Sequence, residues 1–214
     1  MLQKKYNNPG NAIASYSYEE IASGLGYISF YGYNSTDSSS TKYGLMTETS
    51  IKSYAKVTEG NVAMSGSSYT KLLDIDWDIT IDDPRTLNGR CFIQIPFYAY
   101  VSSGGYNQYL IVKLRKYSGS TETDLGTVQS VTFQNVNNKT TATPPKLFVL
   151  DITNTPFKRG DILRLTLETY YNPGGGSGDL YHYVGNDPNA RADAVVTGLE
   201  TTQLKLDVPF RIDI

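Results

Sequence analysis

An all-β sandwich is the fold class that this sequence predicts, and three observations carry it. Apolar and polar residues alternate over several segments of strand length. Clusters of Gly, Pro, Asn and Ser interrupt those segments at short intervals. The 18 tyrosines suit sheet faces, where the ring packs while the hydroxyl stays hydrated. Roughly eight to ten strands are expected, and eight strands in two sheets is the jelly-roll number. At 214 residues the chain can bury a substantial core without cross-links. No shift in composition marks a second core, and no internal repeat suggests a propeller or solenoid. The expectation is a jelly-roll-like antiparallel β-sandwich over residues 17–214, preceded by an extended arm over residues 1–16 and containing one short helix.

The arm is polar, with turn chemistry at Asn7–Gly10. In "SYEEIASGLG" the spacing of Ser17 and Glu20 fits a capping box, and Gly24 or Gly26 can end the helix. "STDSSST" at 35–41 reads as an exposed loop, and "EGNVAMSGSS" as a turn. The clearest strand is "KLLDIDWDITIDD", where Leu73, Ile75, Trp77, Ile79 and Ile81 alternate with Asp74, Asp76, Asp78 and Thr80. In "CFIQIPFYAYV" the residues Ile93, Ile95, Phe97, Ala99 and Val101 share a face. Pro96 cannot donate to a ladder, so an edge or a bulge is expected there. "KLFVLDIT" and "ILRLTLETYY", joined by "NTPFKRGD", read as a hairpin. The closing "LKLDVPFRIDI" reads as a full strand with Leu204, Leu206, Val208, Phe210 and Ile212 inward and a bulge or free edge at Pro209.

Charge excludes some functions. The net charge is -2 and there is no basic tract, so phosphate-backbone binding is not expected. No segment is apolar enough for a secretory signal or a bilayer span, so no membrane partner is expected and the simplest site of synthesis is the cytoplasm. Cys91 is the single cysteine; it rules out an internal disulfide or a CxxC metal clip and reads as a buried, inert thiol.

Four features could carry chemistry. Asp74, Asp76 and Asp78 share a strand face and form the metal candidate, with calcium as the hard cation. The competing reading is a solvated face whose charges block edge pairing, and it is the expectation here. His182, the single histidine, has no adjacent nucleophile motif and reads as a loop or interface residue. "GGGSG" lacks the Lys-Ser/Thr of a phosphate loop. "RGD" at 159–161 falls where the chain must turn, and Gly160 suits that turn. No catalytic set and no cofactor motif emerges, so an enzyme is not expected.

"SYSYEEIASGLGYISFYGY", "FKRGDILRLTLE" and "TTQLKLDVPFRIDI" together resemble virion structural proteins of tailed bacteriophages, particularly marine and other environmental ones. That resemblance implies a non-catalytic component of a virion assembled in the host cytoplasm. The leading expectation is a head decoration (cement) protein on the outer capsid surface, with the major capsid protein and copies of itself, as a trimer, for partners. The alternatives are a fibre or tail accessory module that binds a carbohydrate or receptor, and a minor capsid protein. The expected contacts are Tyr6, Asn8 and Tyr16 on the arm, and Tyr181, His182 and Tyr183 after the glycine-rich loop.

Overall fold

The computed structural model describes residues 25–37, 40–50, 53–101, 105–134, 143–174, 178–191 and 198–211. The arm and the short helix expected before residue 25 lie outside them. In chain order the strands are β1 (Leu25–Asp37), β2 (Ser40–Met46), β3 (Val57–Ala63), β4 (Thr70–Thr80) and β5 (Arg85–Ile95). They continue with β6 (Phe97–Val101), β7 (Asn107–Ser118), β8 (Thr121–Gln129) and β9 (Phe133–Gln134). β10 (Lys146–Phe157), β11 (Ile162–Asn172), β12 (Asp179–Gly185) and β13 (Lys205–Arg211) complete the set. The protein is all-β.

Eight of these strands nest as four antiparallel pairs: β1 with β13, β4 with β11, β5 with β10, and β7 with β8. They lie in the orders β10-β5-β13-β1 and β4-β11-β7-β8. Two four-stranded sheets made of such nested pairs are the jelly-roll winding. β2 bridges the sheets, pairing along β1 and meeting β4 at one parallel bridge, Gly44 with Asp78. The end strands β10 and β8 close on each other by side chains. From β7, next to β8, the Lys116 ammonium also reaches β10: it donates to the Pro156 carbonyl at 2.5 Å and lies over the Phe157 ring. A Cβ at Gly126 would meet Leu150 at 3.3 Å, so a glycine lets the two strands approach.

Period-two alternation puts one apolar face of each sheet inside. Ile28, Phe30, Ile93, Phe148, Leu150, Leu206 and Val208 come from one sheet and Ile75, Trp77, Leu110, Val112, Leu114, Leu163, Leu165 and Leu167 from the other; all belong to one core. A smaller sheet, β3-β12-β6, is built from the segments that connect β2 to β4, β5 to β7 and β11 to β13. Phe97, Leu180 and Val184 carry its inner face into the same core.

Proline marks the irregular points. Pro96 separates β5 from β6, so one alternating run serves two sheets, and its carbonyl accepts from Gly185 of β12 at 2.9 Å. Leu204, just before β13, and Leu206, Val208 and Phe210 within it are buried; Ile212 lies outside the described residues. The register of β13 against β5 breaks between Asp207 and Phe210, around Pro209, which has no amide hydrogen. Gly89 on β5, at φ 120°, accommodates that proline.

Three local expectations are corrected. The described residues of "STDSSST" are paired rather than looped out: Thr36 faces Thr41 and Asp37 faces Ser40. Residues Glu59–Ala63 are part of β3, with only the residues after them irregular. β10 and β11 are not a hairpin; β10 pairs β5 while β11 lies between β4 and β7. The turn between them crosses from one sheet to the other, because the β11 register is claimed by β4 and β7.

Since β13 sits between β1 and β5, deleting residues 202–214 should abolish cooperative thermal unfolding. A milder lesion, Leu206→Ala, should cost about 3 kcal/mol in urea titration. A truncation that melts cooperatively would contradict this placement.

Candidate functional site

The aspartate ladder is built by pairing β4 with β11. Asp78, Asp76 and Asp74 face Arg164, Thr166 and Glu168 across the ladder. Arg164 binds Asp78 as a fork, Nε to Oδ1 at 2.7 Å and Nη2 to Oδ2 at 2.8 Å. Its Nη1 lies 3.3 Å from Asp76 and 3.1 Å from Glu122 on β8. The Thr166 hydroxyl donates to Asp76 at 2.5 Å. Arg115 adds Glu122 at 3.4 Å and Asp124 at 3.0 Å, the latter an ion pair whose Nε is not aligned as a hydrogen bond. Hydrogen bonding to Asp78 holds the Arg164 guanidinium firmly protonated. The cation that Asp76 and Asp78 hold is therefore Arg164, while Asp74 pairs with Lys71, and no group of metal-binding side chains forms among the described residues. That bidentate fork is the geometry guanidinium offers to carboxylate.

His182 is not the loop or interface residue expected. It lies on β12, fully buried, with Nδ1 2.8 Å from Thr169 Oγ1 on β11. The same hydroxyl oxygen accepts from the Leu73 amide at 3.1 Å, so three strands meet at it. Phe97, Tyr106 and Tyr171 surround the ring at 5.2 to 6.5 Å, and Nε2 has no hydrogen-bond partner among the described residues. Burial lowers the imidazole pKa to about 3, so the ring is neutral at physiological pH. A hydroxyl beside an imidazole is the start of a nucleophilic pair. Here both groups are fully buried, nothing orients the second nitrogen, and the base is too weak, so the pair clasps the small sheet to the large one.

The other expected contacts divide. Tyr6, Asn8 and Tyr16 lie outside the described residues. Tyr181 and Tyr183 belong to β12 and form a ladder with Tyr100 and Tyr98 of β6, with Tyr181 and Tyr183 stacked at 6.2 Å. Tyr183 and Tyr98 are buried and Tyr181 is half-buried, so only the Tyr100–Tyr181 end reaches solvent.

The RGD carboxylate is equally committed. Asp161 is buried and accepts from the Lys158 amide at 2.8 Å and the Ser118 hydroxyl at 2.7 Å, with the Lys116 ammonium at 2.9 Å. Those partners, the Lys158 amide foremost, hold its carboxyl well below the usual range. Gly160, at φ 88°, supplies the turn. Burial, with Asp151 and Asp207 adding to it, pushes the Cys91 thiol up to about 12, as an inert thiol requires. Asn34 is buried; its Oδ1 accepts from the Ala55 amide and its Nδ2 donates to Asn186.

Sequence reasoning missed a polar hub at Asn186–Arg191. Asp187 is fully buried and accepts from Arg191 Nε at 2.7 Å, the Arg191 amide at 3.0 Å and the Asn189 amide at 3.3 Å. Arg191 Nη2 continues to the Ser53 carbonyl at 3.1 Å, and Asn186 takes the Thr58 hydroxyl at 2.6 Å and gives to the Ala55 carbonyl. "NDPNA" is turn chemistry, and that was the available signal. A buried, satisfied network of this kind fixes loop geometry.

The outer faces of the two sheets differ. The β4-β11-β7-β8 face carries the ionic belt and a group of tyrosines, Tyr69, Tyr109 and Tyr170. The β10-β5 face carries Leu147 at 75%, Val149 at 46% and Phe92 at 45% exposure, with Tyr27 6.1 Å from Phe92.

These features define a jelly-roll β-sandwich with a closed, tightly paired interior and two contrasting outer faces. No family model and no curated protein matches the chain. Among solved structures it is similar to an alpha-amino acid ester hydrolase at 14% identity and TM-score 0.43, over 65% of this chain and 25% of that one. It is similar to a CocE/NonD family hydrolase from Staphylococcus aureus at 12% identity and TM-score 0.40, over 85% of this chain and 41% of that one. A third similarity, to infectious bursal disease virus (Gt strain), has 11% identity and TM-score 0.28, over 84% of this chain and 42% of that one. The chain spans well under half the length of each, and likeness at this level assigns neither a family nor an activity.

Two outcomes test this site. Millimolar calcium should leave Tm unchanged, since Arg164 and Lys71 already hold the carboxylates; a rise would show a metal site. Acid should also destabilise through His182. Its folded pKa lies below the ordinary 6.5, so the unfolded chain takes up the proton first. Stability is unaffected above about pH 6.5 and falls toward pH 3, by about 1.4 kcal/mol per pH unit. Asp161 loses stability on acidification with the same sign, so His182→Gln serves as the comparison. It should flatten the pH 4–6 slope of urea unfolding, and an unchanged slope would refute the buried neutral ring.

Proposed function

We propose that this chain is a structural protein of a tailed-phage virion: a head decoration protein that docks on the outer capsid surface, as a trimer, and stabilises the shell. The observation that supports the reading is the apolar strip Leu147, Val149 and Phe92 on the outer face of β10 and β5. Water-facing positions of a sandwich strand normally carry polar side chains. Here three large apolar ones adjoin, with the exposed ion pair Arg90–Asp151 at their margin. Apolar centre and charged rim is the anatomy of an interface. The mechanism is mass action: contacts present only in the assembled shell favour that shell. The virion resemblance of the "FKRGDILRLTLE" and "TTQLKLDVPFRIDI" segments supports the same reading, and no catalytic group is required for it.

The test is cosedimentation of the purified chain with emptied capsids of the phage that encodes it. The wild type should pellet with the shell. Leu147→Asp combined with Val149→Asp should weaken binding by more than about tenfold at unchanged Tm, since both side chains are exposed. Binding to isolated tails or fibres instead would move the chain to a fibre or tail accessory layer, and binding to no assembly would sink the proposal.

A further inference from the structure

Away from the apolar strip, the outer face of β4, β11 and β7 holds a second, differently built surface. Tyr109 on β7 and Tyr170 on β11 are directly paired, and their rings stack at 4.8 Å with 15° between planes. Tyr69, just before β4, leans on Tyr109 at 4.9 Å and 53° and is 41% exposed. Three rings, two on neighbouring strands and one at the entry to a third, thus form one shelf.

A charged row borders the shelf. Glu168 lies two residues from Tyr170 on the same strand face. Its Oε2 accepts from the Tyr170 hydroxyl at 3.2 Å, and its Oε1 takes the ammonium groups of Lys113 at 3.0 Å and Lys71 at 3.4 Å. Burial opposes ionisation of Glu168, but the two lysines outweigh it and hold the carboxyl below the ordinary range. Lys71 also reaches Asp74 at 2.6 Å.

This arrangement depends on a bulge. On an unbroken strand Lys71 and Asp74, three residues apart, would face opposite sides of the sheet. The β4–β11 register shifts between Thr169 and Tyr170, skipping Leu72, so Tyr170 pairs with Lys71 while Glu168 pairs with Asp74. The shift places Tyr69 and Lys71 on the face that already carries Asp74, Glu168 and Tyr170. Bulges re-aim side chains in this way next to binding sites.

The chemistry of the surface selects its occupant. Two ammonium and two carboxylate groups cancel, so no net field draws an ion. Asp74 and Glu168 oppose a phosphate or sulfate, and Lys71 and Lys113 oppose a basic peptide. A plain hydrocarbon would strip water from four charges. A ring with one apolar face and a rim of hydroxyls satisfies both halves: the face lies on the tyrosines, and the hydroxyls donate to carboxylate and accept from ammonium.

We infer that the Tyr69–Tyr109–Tyr170 shelf, bordered by Lys71, Asp74, Lys113 and Glu168, is a binding site for an uncharged pyranose of a polysaccharide. The site is separate from the Leu147–Phe92 strip and does not depend on the capsid role. A virion protein with both would hold the shell by one face and a neutral glycan by another.

Affinity electrophoresis of the full chain tests this. Native gels would contain dextran, galactomannan, xylan or mixed-linkage β-glucan, with alginate as the anionic comparison. At least one neutral polysaccharide should retard the protein. Tyr69→Ala should weaken that retardation about tenfold or more. Tyr54→Ala, which removes a 74% exposed tyrosine elsewhere, should leave it intact. Circular dichroism melting should show both variants folded. No retardation by any neutral polymer, retardation by alginate alone, or equal loss in the Tyr54 variant would overturn the assignment.

Discussion

The nesting of distant strands is the constraint on which this structure rests. Three of the four antiparallel pairs join segments far apart in the chain, β7 and β8 alone being a hairpin, and the widest span belongs to β1 and β13. Ile28 faces Val208 and Phe30 faces Leu206. β13 also pairs β5 on its other side, so one strand completes two ladders and contributes Leu206, Val208 and Phe210 to the core. Without it, two long rows of backbone donors and acceptors would be left unpaired beside an open core. The bulge at Pro209 is the local adjustment that lets a residue without an amide hydrogen sit in this central strand.

Around that frame, polar groups are used with little surplus. Asp161, Asp187 and Asn34 are each buried and bonded to partners in turns and loops. His182 joins the small sheet to the large one through Thr169. What remains for partners is on the outer faces. The apolar strip on β10 and β5 and the tyrosine shelf on β4, β11 and β7 are opposite in character, and each is a departure from plain strand alternation. One results from apolar residues at water-facing positions, the other from a one-residue shift of register.

Much of the fold was legible because burial in a sandwich follows period two. The alternations in Leu73–Ile81, Leu163–Leu167 and Leu204–Phe210 each mark a true strand, and their number suggested the jelly roll. Turn chemistry was less informative. The Lys158–Asp161 turn suits a hairpin and a sheet-to-sheet crossing equally well, and only the pairing of β10 with β5 decides between them. Runs of serine and threonine read as a loop at 35–41 because such residues are soluble, although they also pair well in a two-stranded ribbon. The candidate site was less legible still. Three aspartates are visible in "DIDWD", but Arg164, which pairs with Asp76 and Asp78, comes nearly 90 residues later. The tyrosine shelf depends on the skipped Leu72, and nothing in the local sequence announces a bulge. β12 escaped notice because "LYHYVG" places a histidine on its inward face.

The separation of β1 from β13 also has a consequence in time. The paired residues lie about 180 positions apart. A ribosome adding roughly 5 to 20 residues each second needs about 10 to 40 s to cover that distance. During that interval β1 and β5 have emerged, but the strand that fills the gap between them has not been made. Native closure of the sandwich therefore follows synthesis of β13, and the nascent chain must keep an incomplete sheet from pairing with its neighbours on the same messenger.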